Sequence, residues 1–260
     1  MELKVKNASF AYPSGQVLFN DINFSLNEQT ILTILGRNGV GKTTLLKCIM
    51  GILHWKTGTL ELDGKDIENA RLIKEIAYVP QAHQVNFSYS IRDIVTMGRA
   101  RFMGSLSVPS KKDYEYADEA LERVGLADLK NRSCNQLSGG QLQLVYIARA
   151  LAAKPKILIL DEPESHLDFY NQFFILELLE EIVKEQGVSL IINTHYPEHA
   201  MQLSDKTLFL RREDYTFGDT NKILNEENIR KYFGVESVVD QINRSNRTIP
   251  VFAVTGRTEK

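Results

Sequence analysis

The chain predicts an α/β fold with an N-terminal antiparallel β subdomain and an inserted α-helical subdomain. Three observations carry this. The runs Thr30–Leu35 and Ile157–Leu160 are continuously apolar, as in strands buried on both faces. Each leads into a turn and a helical pattern, the order that builds a parallel sheet. Before the first run, two segments alternate with period two, as strands with one solvated face do.

Taken in order, Leu3-Lys4-Val5-Lys6 and Ile22-Asn23-Phe24-Ser25-Leu26 alternate on either side of a turn at Pro13-Ser14-Gly15. Strand Thr30–Leu35 runs into a glycine-rich loop and a helix over Lys42–Gly51. Strand Ile76–Val79 follows. A block from about Val85 to Asn135 has a different composition. It carries the helix Lys112–Val124, with Tyr114, Ala117, Ala120, Leu121 and Val124 on one face. Helix Gln141–Ala153, strand Ile157–Leu160, helix Tyr170–Gln186 and strand Ser189–Asn193 restore the alternation. Phe173–Ile182 reads as a core face. Leu208–Leu210 reads as a further strand, Glu226–Phe233 as a short helix and Ile249–Val254 as a last strand.

The 260 residues are 43% hydrophobic and 25% charged, with 31 basic against 33 acidic residues and a net charge of −2. This is globular composition, and it lacks the basic excess of a general nucleic-acid binder. Two cysteines, Cys48 and Cys134, make no disulfide framework and fit a reducing compartment. No apolar run reaches the roughly 18 residues of a membrane span, and the N-terminus has no apolar signal core. A cytoplasmic protein is expected, held at a membrane only through a partner.

Gly36-Arg37-Asn38-Gly39-Val40-Gly41-Lys42-Thr43 fits G-x-x-x-x-G-K-[ST] between a buried strand and a helix. The glycines let backbone N–H groups turn inward around phosphate, and the helix aims its positive end at the same oxygens. Lys42 reaches the β- and γ-phosphates, and Thr43 offers a hydroxyl to Mg²⁺. Leu137-Ser138-Gly139-Gly140-Gln141 opens a helix, with Ser138 as N-cap and two glycines leaving N–H groups open to an anion. Strand Ile157–Leu160 ends in Asp161-Glu162-Pro163, carboxylates where ligands bind in open α/β sheets.

In this order the phosphate loop, Gln81, LSGGQ at 137–141, ILILDEP at 157–163, Ser165-His166-Leu167-Asp168 and His195 resemble the ATP-binding subunits of ABC transporters. The resemblance spans roughly residues 1–235, with the helical subdomain at about 85–150 and a C-terminal extension over 236–260. It implies a P-loop NTPase core that hydrolyses ATP with Mg²⁺. Glu162 would orient or deprotonate the attacking water, and Asp161, Thr43 and Gln81 would serve the metal. His195 would hold the γ-phosphate and Tyr12 would stack on adenine. The loop residues 36–43 and Thr44 would cradle the phosphates. Ser138, Gly139, Gly140, Gln141 and Asp168 would act on ATP held by a second copy in a head-to-tail dimer.

The implied partners are permease subunits at the cytoplasmic face of the membrane and, indirectly, a substrate-binding protein. Tyr89–Arg99 resembles importers of iron–siderophore, haem or cobalamin. The tail Phe217-Gly218-Asp219-Thr220, with Ile223-Leu224 and Glu227-Asn228, resembles molybdate or tungstate relatives. A non-transport ABC ATPase is disfavoured, because there is one cassette and no room between Thr43 and Ser138 for a long coil. A module that binds ATP without turnover is disfavoured by Glu162, Gln81 and His195. Departures from the family pattern are Arg37 for proline, Thr43 for serine, Glu164 for threonine, His166 for alanine and Leu142-Gln143-Leu144 where an exposed arginine is usual. Glu164 would slow turnover unless it faces away from ATP. His54, His83 and His199 are expected in surface or turn roles.

Overall fold

A computed structural model describes residues 1–68, 70, 73–81, 88–104, 107–244 and 247–258, apart from the side chains of 243–244 and 247–248. Along the chain come β1 (Leu3–Ala11), β2 (Val17–Leu26), β3 (Ile31–Leu35), α1 (Lys42–Ile49), β4 (Thr57–Leu62), β5 (Lys65–Asp66) and β6 (Ile76–Val79). Four helices follow around one strand: α2 (Ile91–Thr96), α3 (Lys111–Arg123), α4 (Gly139–Leu151), β7 (Ile157–Asp161) and α5 (Phe169–Gln186). Then come β8 (Ser189–Thr194), α6 (Pro197–Leu203), β9 (Lys206–Arg211), β10 (Asp214–Asp219), α7 (Thr220–Ile223) and α8 (Glu226–Phe233). The chain closes with β11 (Val235–Arg244) and β12 (Arg247–Arg257).

The chain forms two compact units, residues 1–70 with 189–260, and residues 71–188. In the first, β2, β1, β4 and β5 form an antiparallel sheet. Beside it in sequence, β3 lies parallel between β8 and β9, and β10 pairs antiparallel on β9. Every residue of β3 and of β8 is buried, which fits the nearly continuous apolar run of β3 and the apolar centre Leu190–Ile192 of β8. Leu35, Ala200, Phe209, Leu224, Ile229 and Tyr232 make one core cluster, with Phe209 and Tyr232 rings stacked 5.1 Å apart. Val239 and Phe252 of the β11–β12 hairpin pack against that cluster, so the last 25 or so residues are seated on the core of this unit.

In the second unit β6 and β7 run parallel, from Ile76 opposite Ile157 to Val79 opposite Leu160. The helices start on sequence-encoded caps. Ser110 and Asp113 form a reciprocal capping box on α3, and Ser138 and Gln141 form one on α4. Such caps contribute about 1 kcal/mol each. Asp113 also meets Arg99 at 3.3 Å, and the Ser110 hydroxyl, then its backbone N–H, hold the Asp113 carboxyl below its usual range. Arg92 clamps Asp118 through Nε at 2.8 Å and Nη2 at 2.6 Å, tying α2 to α3.

The long helices and the buried strands β3, β7 and β8 fall where the pattern puts them, within one or two residues at each end, whereas β1 and β2 each extend five residues beyond the expected Leu3–Lys6 and Ile22–Leu26 toward the turn between them. Several others were not legible. β4, β10 and β11 mix polar and apolar residues without clean alternation, and α6 and α7 are too short for a helical period. Phe173 departs from the expected core face: it is 52% exposed, while Ile175, Leu176, Leu178, Leu179 and Ile182 are buried. Leu142, Gln143 and Leu144 are all buried, so these positions are not the helix surface that the missing arginine suggested. His83 and Val85 lie outside the described residues.

Both cysteines are free and buried, Cys48 on α1 and Cys134 ahead of α4. Burial pushes the Cys48 thiol up to about 12 and raises Cys134 too, with the Asp93 charge adding to the latter. Reaction needs the thiolate. Native protein at pH 8 should therefore leave both thiols unmodified by a disulfide reagent over minutes, and urea should release two. Fast labelling of the native chain would contradict this packing.

Candidate functional site

The phosphate loop leaves the end of β3 in the first unit. At Gly36 an added Cβ would lie 2.3 Å from the Leu210 carbonyl oxygen of β9, so only glycine fits where the loop crosses this strand. Gly41 has φ 112° and opens α1 with no side-chain cap, which keeps the first-turn N–H groups available to an anion. Lys42 is 4% exposed, and its Nζ donates to the carbonyls of Gly36 at 2.8 Å and Arg37 at 3.2 Å. The ammonium is thus fixed inside the loop by the residues it follows. Arg37, Asn38 and Gly39 are exposed on the rim.

Two neighbours adjust the hydroxyls behind the loop. Asn193 of β8 donates through Nδ2 to Thr43 Oγ1 at 3.4 Å, and Tyr12 Oη shares a 3.4 Å hydrogen bond with Thr44 Oγ1. Tyr12 is 41% exposed, with its ring edge-on to Phe10 at 5.3 Å. It therefore presents an aromatic face beside the loop. His195 follows β8 and is half-buried, its ring 4.0 Å from Tyr196; His199 lies 4.8 Å from the same tyrosine. In the sequence Asn193 stands only as the end of the strand Ser189–Asn193; the signal that singles it out is an amide directly after the apolar run Leu190–Ile192.

In the second unit Asp161 ends β7, buried, and Tyr78 of β6 donates its hydroxyl to Asp161 Oδ2 at 3.2 Å. Burial, and then the Asp161 charge, push the Tyr78 phenol well above its ordinary value, so it remains a donor. Nothing in the sequence marked Tyr78, because its role depends on the β6–β7 register. Glu162 has φ 48°, a left-handed backbone that costs a non-glycine residue about 1–2 kcal/mol. Ser165 offsets part of that by donating Oγ to Glu162 Oε2 at 3.0 Å. Residue 166 is left-handed too, at φ 64°, and His166 is exposed. Glu164 is only 1% exposed, so its side chain turns inward rather than toward solvent-borne nucleotide. Gln81 stands half-buried just past β6.

The Leu137–Gln141 segment caps α4 as expected. Ser138 Oγ accepts from the Gln141 N–H at 3.3 Å, and Gln141 Oε1 accepts from the Ser138 N–H at 3.1 Å. Gly139 and Gly140 occupy the first turn, where N–H groups have no helical partner. A Cβ on Gly140 would lie 2.9 Å from Asn171 Cγ. Asn171 in turn donates Nδ2 to both oxygens of Asp168, at 3.0 and 2.9 Å, while its N–H caps on Oδ1 at 2.9 Å. Gly140, Asn171 and Asp168 are therefore brought together, with Asp168 as the N-cap of α5. Asn171 carries a local signal in the sequence, an asparagine three residues past a capping aspartate.

Among the described residues, no helix is long and apolar enough to cross a membrane, and no group of three or more His, Cys, Asp or Glu residues could hold a metal ion.

Comparison with known proteins identifies the family. A family model described as ABC transporter matches residues 19–165. The molybdate import ATP-binding protein MolC of Haemophilus influenzae is 38% identical over 231 residues, covering 89% of this chain and 87% of that one. The chelated iron transport system protein YfeB of Yersinia pestis is 35% identical over 95% of this chain and 83% of its own. A solved ABC transporter of the metal-chelate type, in an inward-facing conformation, superposes with a TM-score of 0.89 at 36% identity, covering 97% of this chain and 96% of that one. The fold is accordingly that of a P-loop NTPase with an antiparallel β subdomain and added helices. The chain belongs to the ATP-binding subunits of ABC transporters, the ATPases that work with membrane permeases.

Proposed function

We propose that this subunit binds MgATP in its phosphate loop and hydrolyses it as one half of a head-to-tail dimer that drives an importer of metal chelates. The observation that carries the nucleotide part is Lys42, buried with its Nζ on the loop carbonyls at the end of β3. In this reading Lys42 meets the β- and γ-phosphates, the loop residues and Thr44 surround them, and the exposed ring of Tyr12 stacks on adenine. Thr43, Asp161 and Gln81 form the metal set. A hydroxyl, a carboxylate and an amide are hard oxygen donors of the kind Mg²⁺ takes. Mg²⁺, when bound, neutralises phosphate charge. Glu162, aimed by its left-handed backbone and steadied by Ser165, accepts a proton from the attacking water, and His195 donates to the γ-phosphate. Ser138, Gly139, Gly140 and Gln141 of a second copy complete the γ-phosphate's surroundings, with Asp168 at the same interface. Phosphoryl transfer asks mainly for this positioning and charge stabilisation.

Glu162→Gln removes the base with almost no change of shape. ATP binding should survive, hydrolysis should fall by ~10²–10⁴, and an ATP-bound dimer should persist through size-exclusion chromatography. Hydrolysis within a few-fold of wild type would remove Glu162 from this role. An inactive variant that stays monomeric with ATP would remove the head-to-tail dimer.

The cargo reading rests on the chelate-type solved transporter and on YfeB, supported by the Tyr89–Arg99 segment. It places the subunit at the cytoplasmic face of the membrane, docked on its permease. The likeness to MolC, together with the Phe217–Thr220 tail, favours molybdate as the second reading. In the reconstituted transporter, ATPase activity should rise with binding protein loaded with a ferric chelate, haem or cobalamin. A rise confined to molybdate or tungstate would select the second reading.

A further inference from the structure

The end of β8 departs from the apolar character of its centre. Leu190, Ile191 and Ile192 are followed by Asn193 and Thr194, which are 0% and 1% exposed. Burying an amide is costly unless it is hydrogen-bonded, and a valine or isoleucine here would simply lengthen the apolar run. The amide is put to use. Asn193 Nδ2 donates to Thr43 Oγ1 at 3.4 Å, across 150 positions of sequence. Thr194 fixes the strand end, its Oγ1 accepting from the Tyr196 N–H at 3.1 Å.

Both ends of the Asn193–Thr43 contact rest on one pair of strands within the first unit. In the parallel β3–β8 ladder, Asn193 lies opposite Ile34 and Thr194 opposite Leu35, the residue before Gly36. β3 therefore launches the loop that leads to Thr43, while β8 brings the amide to it. Thr43 stands in the first turn of α1, directly after Lys42, whose Nζ is held on the Gly36 and Arg37 carbonyls. The amide thus meets a hydroxyl whose backbone is already fixed. A hydroxyl has one hydrogen and two lone pairs, and an amide N–H meets only a lone pair. The contact therefore turns the Thr43 hydroxyl hydrogen away from Asn193 and restricts its rotation about Cβ–Oγ1. An oxygen donor held in this way gives up less freedom on meeting a cation.

We propose that Asn193 is a positioning residue for Mg²⁺: by donating to Thr43 it presets the hydroxyl that the metal takes. This deepens, and rests on, the reading in which Thr43 serves the metal. Asn193 acts through Thr43 and needs no contact of its own with nucleotide. Groups that orient a metal's ligands typically change metal affinity by ~10–100-fold, which a residue that merely fills a strand does not.

Calorimetry with the imido analogue of ATP, whose terminal phosphate is not cleaved, gives one affinity in excess Mg²⁺ and one in EDTA. Their ratio is the gain due to metal. Asn193→Leu keeps the branched shape and extends the apolar strand, and Asn193→Ala removes the amide without adding bulk; circular dichroism checks that each is folded. In both variants the affinity in EDTA should stay within twofold of wild type, while the gain falls about tenfold. Thr43→Val should lose a similar part of the gain, and Asn193→Leu/Thr43→Val should lose no more, because both changes act on one hydroxyl. An undiminished gain in the Asn193 variants beside a reduced one in Thr43→Val would overturn the proposal and leave Thr43 in the metal set. A fall shared equally by both conditions, or additive losses in the double variant, would overturn it as well. An undiminished gain in Thr43→Val would remove Thr43 from the metal set, and the proposal with it.

Discussion

A buried ammonium needs partners, because desolvation of an unpaired charge costs several kcal/mol. Lys42 finds them in the carbonyls of Gly36 and Arg37, the first two residues of its own loop. That contact draws the loop closed, and it is possible only because β3 delivers Gly36 against the Leu210 carbonyl with no room for a Cβ. The rest of the first unit serves this geometry. β8 and β9 flank β3 on both sides, Asn193 reaches Thr43 from one of them, and the C-terminal helices and hairpin cover the core beneath the other.

The second unit solves a different problem, that of aiming carboxylates. Asp161 is buried and receives the Tyr78 hydroxyl, while Glu162 is turned by a left-handed residue and held by Ser165. Strain of this kind persists where surrounding contacts over-determine it. Glu164, introduced where the family commonly has threonine, is resolved in the same turn: it is buried, so the added charge is kept away from the open face.

The glycine loop, the LSGGQ cap and the Asp161-Glu162 pair were all legible as local arrangements, because each is set by a short run of neighbouring residues. The same held for β3, β7, β8, α3, α4 and α5, whose periods are long enough to read. Tyr78 was not legible, since the β6–β7 register brings it to Asp161 from a distant part of the sequence. Phe173 has core chemistry inside the run Phe173–Ile182, yet it stands on the exposed side of α5.

Gly36→Ala tests the central claim most directly, that close packing of the loop on β9 shapes the phosphate site. ATP affinity should be measured by calorimetry on variant protein whose circular dichroism matches wild type. The account predicts a loss of at least tenfold, because a backbone atom of Leu210 must move before a Cβ can fit. Wild-type affinity in a folded Gly36→Ala protein would contradict it.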